Sequence, residues 1–142
     1  MFANKKIFKD KIIFFLIIIS IAFILRIYNL NFEDYWFDEQ ASFWVADPSL
    51  TFSETLERGK KLDQGTSIVF NLLLKTFFSL FNYNPLIGRY FPFIFGLLAI
   101  PALCYLTFQI RQDKSYLLVG ILSSINFYLI SYSQEVRVYS LV

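Results

Sequence analysis

The sequence predicts an all-α integral membrane protein with three transmembrane helices and an outer loop of short juxtamembrane helices. Hydrophobic residues make up 56% of the 142-residue chain, aromatic residues 20%, and charged residues only 17%. Long apolar runs occupy residues 12–30, 90–110 and 116–132, and each is long enough to cross the hydrocarbon core of a bilayer. The polar stretch between the first two runs is the predicted outer loop, residues 31–89.

The composition excludes several kinds of chemistry within this chain. It has no histidine and a single cysteine, Cys104, so zinc sites, disulfides and histidine-based catalysis are excluded. The formal net charge of +2 is too small to suggest a nucleic-acid partner. Acid and base chemistry would therefore fall to Asp, Glu, Tyr or Lys side chains.

The first apolar run begins after a basic segment, which predicts a cytoplasmic N-terminus in the cell membrane. Its lysines are Lys5, Lys6, Lys9 and Lys11. A signal peptide is the alternative, but the run is long and no cleavage site with small residues follows it. Arg26 lies near the outer end, where we expect its side chain to snorkel to the headgroups.

The acidic segment 31–66 suits the outer face of the membrane because it has few basic residues. A short helix is predicted from Asp38 to Ala46. Its apolar stripe would lie on the membrane surface and contains Phe37, Ala41, Trp44 and Val45. Thr51 and Glu54 have the spacing of a capping box, which predicts a second helix ending near Gly59.

The run 67–82 has two interpretations, a helix lying in the outer interface or a further membrane span. Polar residues recur in it every three or four positions, at Ser67, Asn71, Lys75, Ser79 and Asn82. This polar face and the shortness of the run favour the interfacial helix.

The charge pattern supports the three-span topology. With 67–82 in the interface, the basic loop 111–114 lies in the cytoplasm, as the positive-inside rule requires. The segments around residues 38 and 135 then share the outer face. If 67–82 crossed the membrane, these two segments would be separated.

Asp38 and Glu39 are the candidates for acid–base chemistry. Adjacent side chains on a helix diverge by about 100°, so a proton-sharing pair is not expected. One carboxylate can face a substrate while the other faces protein or water, and a partly buried carboxylate can act as a general base. In the structural alternative, Asp38 caps its helix and Glu39 is solvated.

Glu135 and Arg137 follow the third apolar run and form the second polar motif. They suit a cluster that binds an anionic headgroup or phosphate, with Arg137 as the donor. The alternative is a salt-bridged helix end at the membrane interface. Arg89 and Lys75 are weaker candidates for substrate binding, because basic residues at headgroup level usually snorkel.

Five stretches, taken in order, resemble the N-terminal part of family-39-type membrane glycosyltransferases of the GT-C class. They are Trp36–Glu39, Leu72–Lys75, Gly88–Pro92, Gly96 and Tyr132–Leu141. Protein O-mannosyltransferases and bacterial aminoarabinose transferases belong to this class. The last stretch, Tyr-Ser-Gln-Glu-Val-Arg-Val-Tyr-Ser-Leu, is the most specific.

The resemblance implies transfer of a sugar from a polyprenyl-phosphate donor to an acceptor glycan, lipid or protein on the outer face, with inversion at the anomeric carbon. Asp38 matches the catalytic carboxylate of the family and Glu39 its acidic neighbour. Glu135 and Arg137 match the polar motif near the donor phosphate. The sequence neither requires nor excludes a divalent metal.

Two departures from the family accompany the resemblance. Many relatives have His-Pro-Pro or Lys-Pro-Pro where this chain has Thr66-Ser67-Ile68. Family members also have further spans, so we expect residues 1–142 to be an N-terminal fragment that is inactive alone. The alternative is a small non-enzymatic membrane protein or accessory subunit. A transporter fragment is disfavoured, because it predicts charges midway through the spans.

Overall fold

The computed structural model of the protein describes residues 2–62 and 67–141, and the side chains of 12–62 and 67–139. These residues form seven α-helices, a short 3-10 helix and no strand, which confirms the all-α class for this part of the chain. The helices are α1 (Phe2–Ile27), α2 (Phe37–Val45), α3 (Phe52–Leu62), α4 (Ile68–Leu80), α5 (Pro85–Arg111), α6 (Ser115–Ile125), α7 (Phe127–Tyr132) and the 3-10 helix Val138–Leu141. The N-terminal lysine side chains and Thr66 lie outside the described residues.

Two layers make up the architecture. Helices α1, α5 and α6 pack against one another, and α7 continues from α6 along α1 and α5. A core cluster of Ile18, Ala22, Ile100 and Cys104 joins α1 to α5. Helices α2, α3 and α4 pack together at the end of this bundle where α5 begins. Their core is mainly aromatic and contains Phe43, Phe70, Phe78 and Phe91, together with Ala46, Leu74 and Val136.

Side-chain caps fix where several helices begin. Asn84 Oδ1 accepts a hydrogen bond from the Leu86 amide at 2.9 Å, and Pro85 stands in the first turn of α5. Ser67 caps α4 in the same manner, through the Phe70 amide. Such caps satisfy amide groups that a helix N-terminus leaves without intrahelical partners.

The predicted capping box is present at α3, but the predicted end of that helix is wrong. The Thr51 amide donates to Glu54 Oε2 at 2.7 Å, and the Glu54 amide donates to Thr51 Oγ1 at 3.3 Å. Helix α3 then continues through Gly59 to Leu62. Gly59 is buried inside the helix, so it serves packing rather than termination.

Helix α5 is the one described helix that is long and apolar enough to cross a membrane. It extends the predicted run 90–110 at both ends. The apolar part of α1 ends at Ile27, and α6 has 11 residues. The predicted third span 116–132 is not one helix, because the backbone at Asn126 is extended with ψ of 122°. Three complete spans are therefore not shown, and that finer topology stays a prediction.

Large apolar side chains cover the outside of the bundle. On α1, α5, α6 and α7 the exposed ones include Leu16, Ile24, Leu98, Leu106, Leu122 and Phe127. Small residues lie between the helices instead. A Cβ atom on Gly96 would stand 2.4 Å from Ser133 Cβ, and one on Gly120 would stand 2.9 Å from Cys104 Sγ. The bundle is thus apolar outside, with close helix contacts inside.

The predicted faces of α2 and α4 are corrected by the structure. Val45 is 1% exposed whereas Phe37 is 77% exposed, so the apolar residues of α2 do not form one surface stripe. In α4, Asn71 from the predicted polar face is buried, whereas Val69 and Leu73 are exposed. The polar face of α4 therefore turns partly toward the protein, and some of its apolar residues face outward.

Candidate functional site

Glu39 occupies the first turn of α2 and is 1% exposed. Its Oε1 accepts hydrogen bonds from Arg89 Nε at 3.1 Å and from the Val136 amide at 3.0 Å. Its Oε2 accepts from Arg89 Nη2 at 2.8 Å and from the Trp36 amide at 3.3 Å. Each oxygen thus has two donors, which is what a buried carboxylate requires.

Arg89 lies in the second turn of α5 and is also buried. Besides its bonds to the Glu39 carboxylate, its Nη1 donates to the Leu30 and Glu33 carbonyls, at 3.0 and 2.9 Å. Its Nη2 donates to the Asp34 carbonyl at 3.4 Å, and the guanidinium stacks over the Tyr35 ring. All five N–H groups are used within the protein. Arg89 therefore fastens the loop after α1 to α5.

Gly88 allows α2 to approach α5 closely enough for this ion pair. A Cβ atom at Gly88 would lie 2.6 Å from Phe43 Cε1 and 3.0 Å from Phe78 Cζ. Because glycine has no Cβ, both rings pack directly against the α5 backbone. The Gly88-Arg89 pair thus combines a close helix contact with a buried cation.

The segment after α7 is fixed from three sides. The Gln134 amide group donates to the Arg26 and Tyr28 carbonyls at 2.9 and 2.8 Å, which caps the end of α1. The Val136 side chain is fully buried, and its backbone amide reaches Glu39. Ser133 packs against α5. These contacts hold the second polar motif beside the first.

Asp38 points away from its neighbour, toward solvent. Its Oδ2 lies 3.1 Å from Arg137 Nη2, with the two side chains 60% and 18% exposed, respectively. The guanidinium of Arg137 also stands over the Tyr139 ring, 5.6 Å from its centroid. Together with the bond from Val136 to Glu39, this ion pair brings the two motifs into direct contact.

Glu135 is the acidic residue of the second motif, and its carboxylate oxygens can accept further hydrogen bonds. It is half-buried, and its Oε1 accepts one long hydrogen bond from Ser131 at 3.4 Å. Burial raises the pKa of Glu135, and the negative charge of Glu39 raises it further. The protonated form of Glu135 is therefore favoured more than in an ordinary surface glutamate.

Two neighbouring cavities share Trp36 and Glu135 in their walls. The smaller, of about 140 Å³, is the cleft that also contains Asp38 and Arg137. The larger, of about 290 Å³, extends toward the end of α1 and is rimmed by exposed aromatic side chains. We call the smaller one the carboxylate cleft. Among the described residues, no group of three or more Cys, His, Asp or Glu forms a potential metal site.

Lys75 is not brought to the carboxylate cleft. Its ammonium donates to the Leu50 carbonyl and, at 3.0 Å, to Thr55 Oγ1. It lines a separate cavity between α3 and α4. Five of the six predicted site residues therefore lie close together, whereas Lys75 packs between the short helices α3 and α4.

Arg26 was predicted to snorkel, and the structure shows otherwise. It is 0% exposed, and its guanidinium donates to the Ser123 and Ser124 carbonyls at 3.0 Å each. These carbonyls belong to the last turn of α6, where a cation satisfies groups without intrahelical partners. The sequence did contain a sign of this buried position, because an isolated arginine within an apolar run usually faces the protein interior.

Comparison of the chain with models of protein families, with curated proteins and with solved structures gave no match. The likeness to family-39-type glycosyltransferases therefore depends on the motifs of the sequence. The geometry described above is independent of that likeness.

Proposed function

We propose that this chain forms the carboxylate cleft of a membrane glycosyltransferase that uses a polyprenyl-phosphate-linked sugar as donor. The observation that carries the proposal is the meeting of the two motifs, through the ion pair of Asp38 with Arg137 and the bond from the Val136 amide to Glu39. One exposed carboxylate and one partly exposed guanidinium thus face the same cleft, where a proton acceptor and a phosphate ligand are needed.

The surface of the bundle supports a location in the cell membrane with several spans. In this topology α1, α5 and the α6–α7 pair each cross the bilayer, and their exposed apolar side chains contact lipid. The N-terminus lies in the cytoplasm, and the carboxylate cleft opens on the outer face. The loop between α5 and α6, which contains Arg111 and Lys114, then lies in the cytoplasm.

Asp38 acts as the general base in the proposed reaction. A hydroxyl or amino group of the acceptor forms a bond to the anomeric carbon while Asp38 takes its proton. The bond from that carbon to the phosphate oxygen breaks, and its electron pair leaves with the lipid phosphate. Attack opposite the leaving group inverts the anomeric centre. Arg137 stabilises the negative charge on the departing phosphate.

Glu39 and Arg89 serve as positioning residues in this proposal, because their hydrogen-bonding groups are already engaged with each other and with the backbone. Glu135 offers a half-buried carboxyl group to a sugar hydroxyl at the boundary of the two cavities. Lys75 supports the packing of α3 and α4 and does not contact the donor.

Asp38→Asn tests the proposal, with Asp34→Asn as the matched control. Both substitutions are isosteric and lie in neighbouring outer positions, and the Asp34 carboxylate forms no ion pair among the described residues. Each is introduced at the gene's own locus, and membranes are incubated with a panel of radiolabelled polyprenyl-phosphate hexoses and pentoses. We expect a product that a deletion strain lacks and that Asp38→Asn reduces about 10²–10⁴-fold.

Asp34→Asn should leave that product unchanged, and immunoblots establish equal protein levels. Normal transfer by Asp38→Asn removes Asp38 from the mechanism. Equal product in the wild type and the deletion strain refutes glycosyl transfer and favours the accessory-subunit alternative.

A further inference from the structure

The cavity beside Lys75 lies between the start of α3 and the second half of α4. It holds about 370 Å³ and shares no lining residue with the carboxylate cleft. Its apolar rim includes the exposed side chains of Phe52 and Leu80. Its polar wall belongs to α4 and consists of Lys75, Thr76 and Ser79. We call this cavity the α3–α4 pocket.

Lys75 brings an ammonium group with one remaining N–H to this pocket. The ammonium has three N–H groups, and it donates to two acceptors in the protein, the Leu50 carbonyl and Thr55 Oγ1. No carboxylate in the described part of the chain forms an ion pair with it. A half-buried ammonium of this kind favours a ligand that supplies an anionic oxygen.

Two acidic residues near Lys75 are bound to their own loops instead. Asp47 Oδ1 accepts from the amide and the hydroxyl of Ser49 at 2.9 and 2.7 Å. Glu54 Oε2 accepts from the amide and the hydroxyl of Thr51 at 2.7 and 2.8 Å. These hydrogen bonds are the main reason why the pKa of each carboxyl group is lowered, and the charge of Lys75 contributes least. Neither carboxylate therefore takes the remaining N–H of Lys75.

The hydroxyl groups of Thr76 and Ser79 add acceptors to the same wall. The Thr76 hydroxyl donates to the Leu72 carbonyl, and the Ser79 hydroxyl donates to the Lys75 carbonyl, at 2.9 Å each. Since their hydrogens are used within α4, both oxygens can accept hydrogen bonds from a ligand. One cationic donor beside two acceptors fits a phosphate ester that also has hydroxyl groups.

The outer side of α4 favours a ligand with hydrocarbon chains. Val69, Leu73 and Leu80 are exposed, and at 3.6 residues per turn they lie on one side of the helix. This side adjoins the pocket, because Leu80 belongs to both. In the proposed topology the short helices lie at the level of the outer headgroups. A phospholipid of the outer leaflet therefore matches the polar pocket and the apolar side of α4 together.

We propose that the α3–α4 pocket binds the headgroup of an anionic phospholipid whose phosphodiester carries a hydroxylated alcohol. A phosphate oxygen accepts from Lys75, and headgroup hydroxyls donate to Thr76 and Ser79. The acyl chains extend along the exposed apolar side of α4. The inference uses the proposed membrane location but is independent of glycosyl transfer.

Photolabelling of the purified protein in detergent micelles tests this site without any activity assay. The probe is phosphatidylglycerol with a diazirine in one acyl chain. Phosphatidylcholine with the same chains is the comparison, because its headgroup has no net charge and no hydrogen-bond donor. We expect phosphatidylglycerol to label the peptide containing residues 68–81 at least fivefold more than phosphatidylcholine does. Unlabelled phosphatidylglycerol should compete, whereas water-soluble glycerol phosphate should not.

Lys75→Met removes the cationic donor, and Lys60→Met removes the same charge from an exposed position outside the pocket. Because a charge-assisted hydrogen bond is lost, Lys75→Met should reduce labelling by phosphatidylglycerol about tenfold. Lys60→Met should leave it unchanged. Lys75 also binds Leu50 and Thr55, so circular dichroism establishes whether Lys75→Met folds.

Ser79→Phe provides a second test that leaves the contacts of Lys75 with α3 in place. The new ring fills the pocket from an exposed position, and Leu73→Phe adds the same ring to α4 outside the pocket lining. Ser79→Phe should reduce labelling about tenfold, and Leu73→Phe should leave it unchanged.

Equal labelling by phosphatidylcholine overturns the proposal, as does unchanged labelling of a folded Lys75→Met or of Ser79→Phe. Displacement by glycerol phosphate overturns the choice of a lipid. The result is separable from the glycosyltransferase proposal. Pocket labelling together with normal transfer by Asp38→Asn keeps the lipid site and removes the reaction. Loss of transfer in Asp38→Asn with unselective labelling removes only the lipid site.

Discussion

Replacing Glu39 by glutamine removes one charge and one acceptor atom while keeping the side-chain shape. Each carboxylate oxygen accepts from two donors, namely one N–H of Arg89 and one backbone amide. Whichever position the new amide nitrogen takes, it faces two N–H groups that have lost their acceptor. The guanidinium of Arg89 also stays buried without a counter-charge.

Removal of one partner from a buried ion pair costs about 3–5 kcal/mol. The side chains of Arg89 and Glu39 are 4% and 1% exposed, so solvent can compensate little of this loss. Because domains are stable by only about 5–15 kcal/mol, Glu39→Gln should abolish a large part of the net stability. The loop around Glu33 and Asp34 should loosen together with α2, since Arg89 holds both.

Thermal and denaturant unfolding of the purified protein in detergent, followed by circular dichroism and tryptophan fluorescence, measures this effect. Glu33→Gln is the matched control, because that side chain is exposed and only its carbonyl contacts Arg89. The control should change stability by less than about 0.5 kcal/mol. A loss below about 1 kcal/mol for Glu39→Gln would refute the structural role assigned to the pair.

The double variant Glu39→Leu with Arg89→Met separates the cost of an unpaired buried charge from the net contribution of the ion pair to the free energy of unfolding. Apolar replacement of both partners of a buried pair is often neutral or stabilising. We therefore expect the double variant to be more stable than Glu39→Gln. A double variant that is less stable would mean that the backbone contacts of Arg89 dominate.

Two further predictions concern a glycine and the half-buried glutamate. Gly88→Ala should destabilise the protein by about 1–3 kcal/mol, because the new Cβ meets the Phe43 ring. Gly59→Ala is the control, because its new Cβ would have ordinary 3.9 Å contacts inside a helix, and it should stabilise the protein by about 0.5–1 kcal/mol in the same thermal assay. Equal effects of the two substitutions on stability would contradict the close contact between Gly88 and Phe43. Since the pKa of Glu135 is raised above 4.5 in the folded state, stability should fall as pH rises from 4.5 through the raised value. Glu135→Gln should remove that part of the pH dependence and should be neutral or stabilising at pH 7, in contrast to Glu39→Gln. An unchanged pH profile of stability in Glu135→Gln would show that burial does not disfavour the charged form of Glu135.

The sequence predicted features that depend on local chemistry. The capping box of Thr51 and Glu54 and the all-α class follow from residue spacing and composition. The sequence also predicted that the two motifs share the outer face, through the charge rule for membrane loops and the parity of the spans. Their contact agrees with a shared side, and the membrane topology stays a prediction. In each case a short pattern or a simple count carries the information.

The individual side-chain pairings between distant residues could not be predicted from the sequence. Arg89 binds Glu39 across 50 positions, and no periodicity distinguishes that arginine from one that snorkels. The break at Asn126 was missed because the run around it is predominantly apolar, and a single asparagine there either stays in a helix or caps a new one. Tertiary packing decides between such local alternatives.

The guanidinium of Arg26 has consequences for biogenesis. Its carbonyl partners on Ser123 and Ser124 are 97 and 98 positions further along the chain. At synthesis rates of about 5–20 residues per second, they emerge about 5–20 s after the arginine. During that interval the guanidinium lacks these two acceptors, so in the proposed membrane topology it stays in contact with water or with the insertion machinery. Packing of α6 against α1 then supplies both carbonyl acceptors, and the guanidinium no longer needs water for these hydrogen bonds.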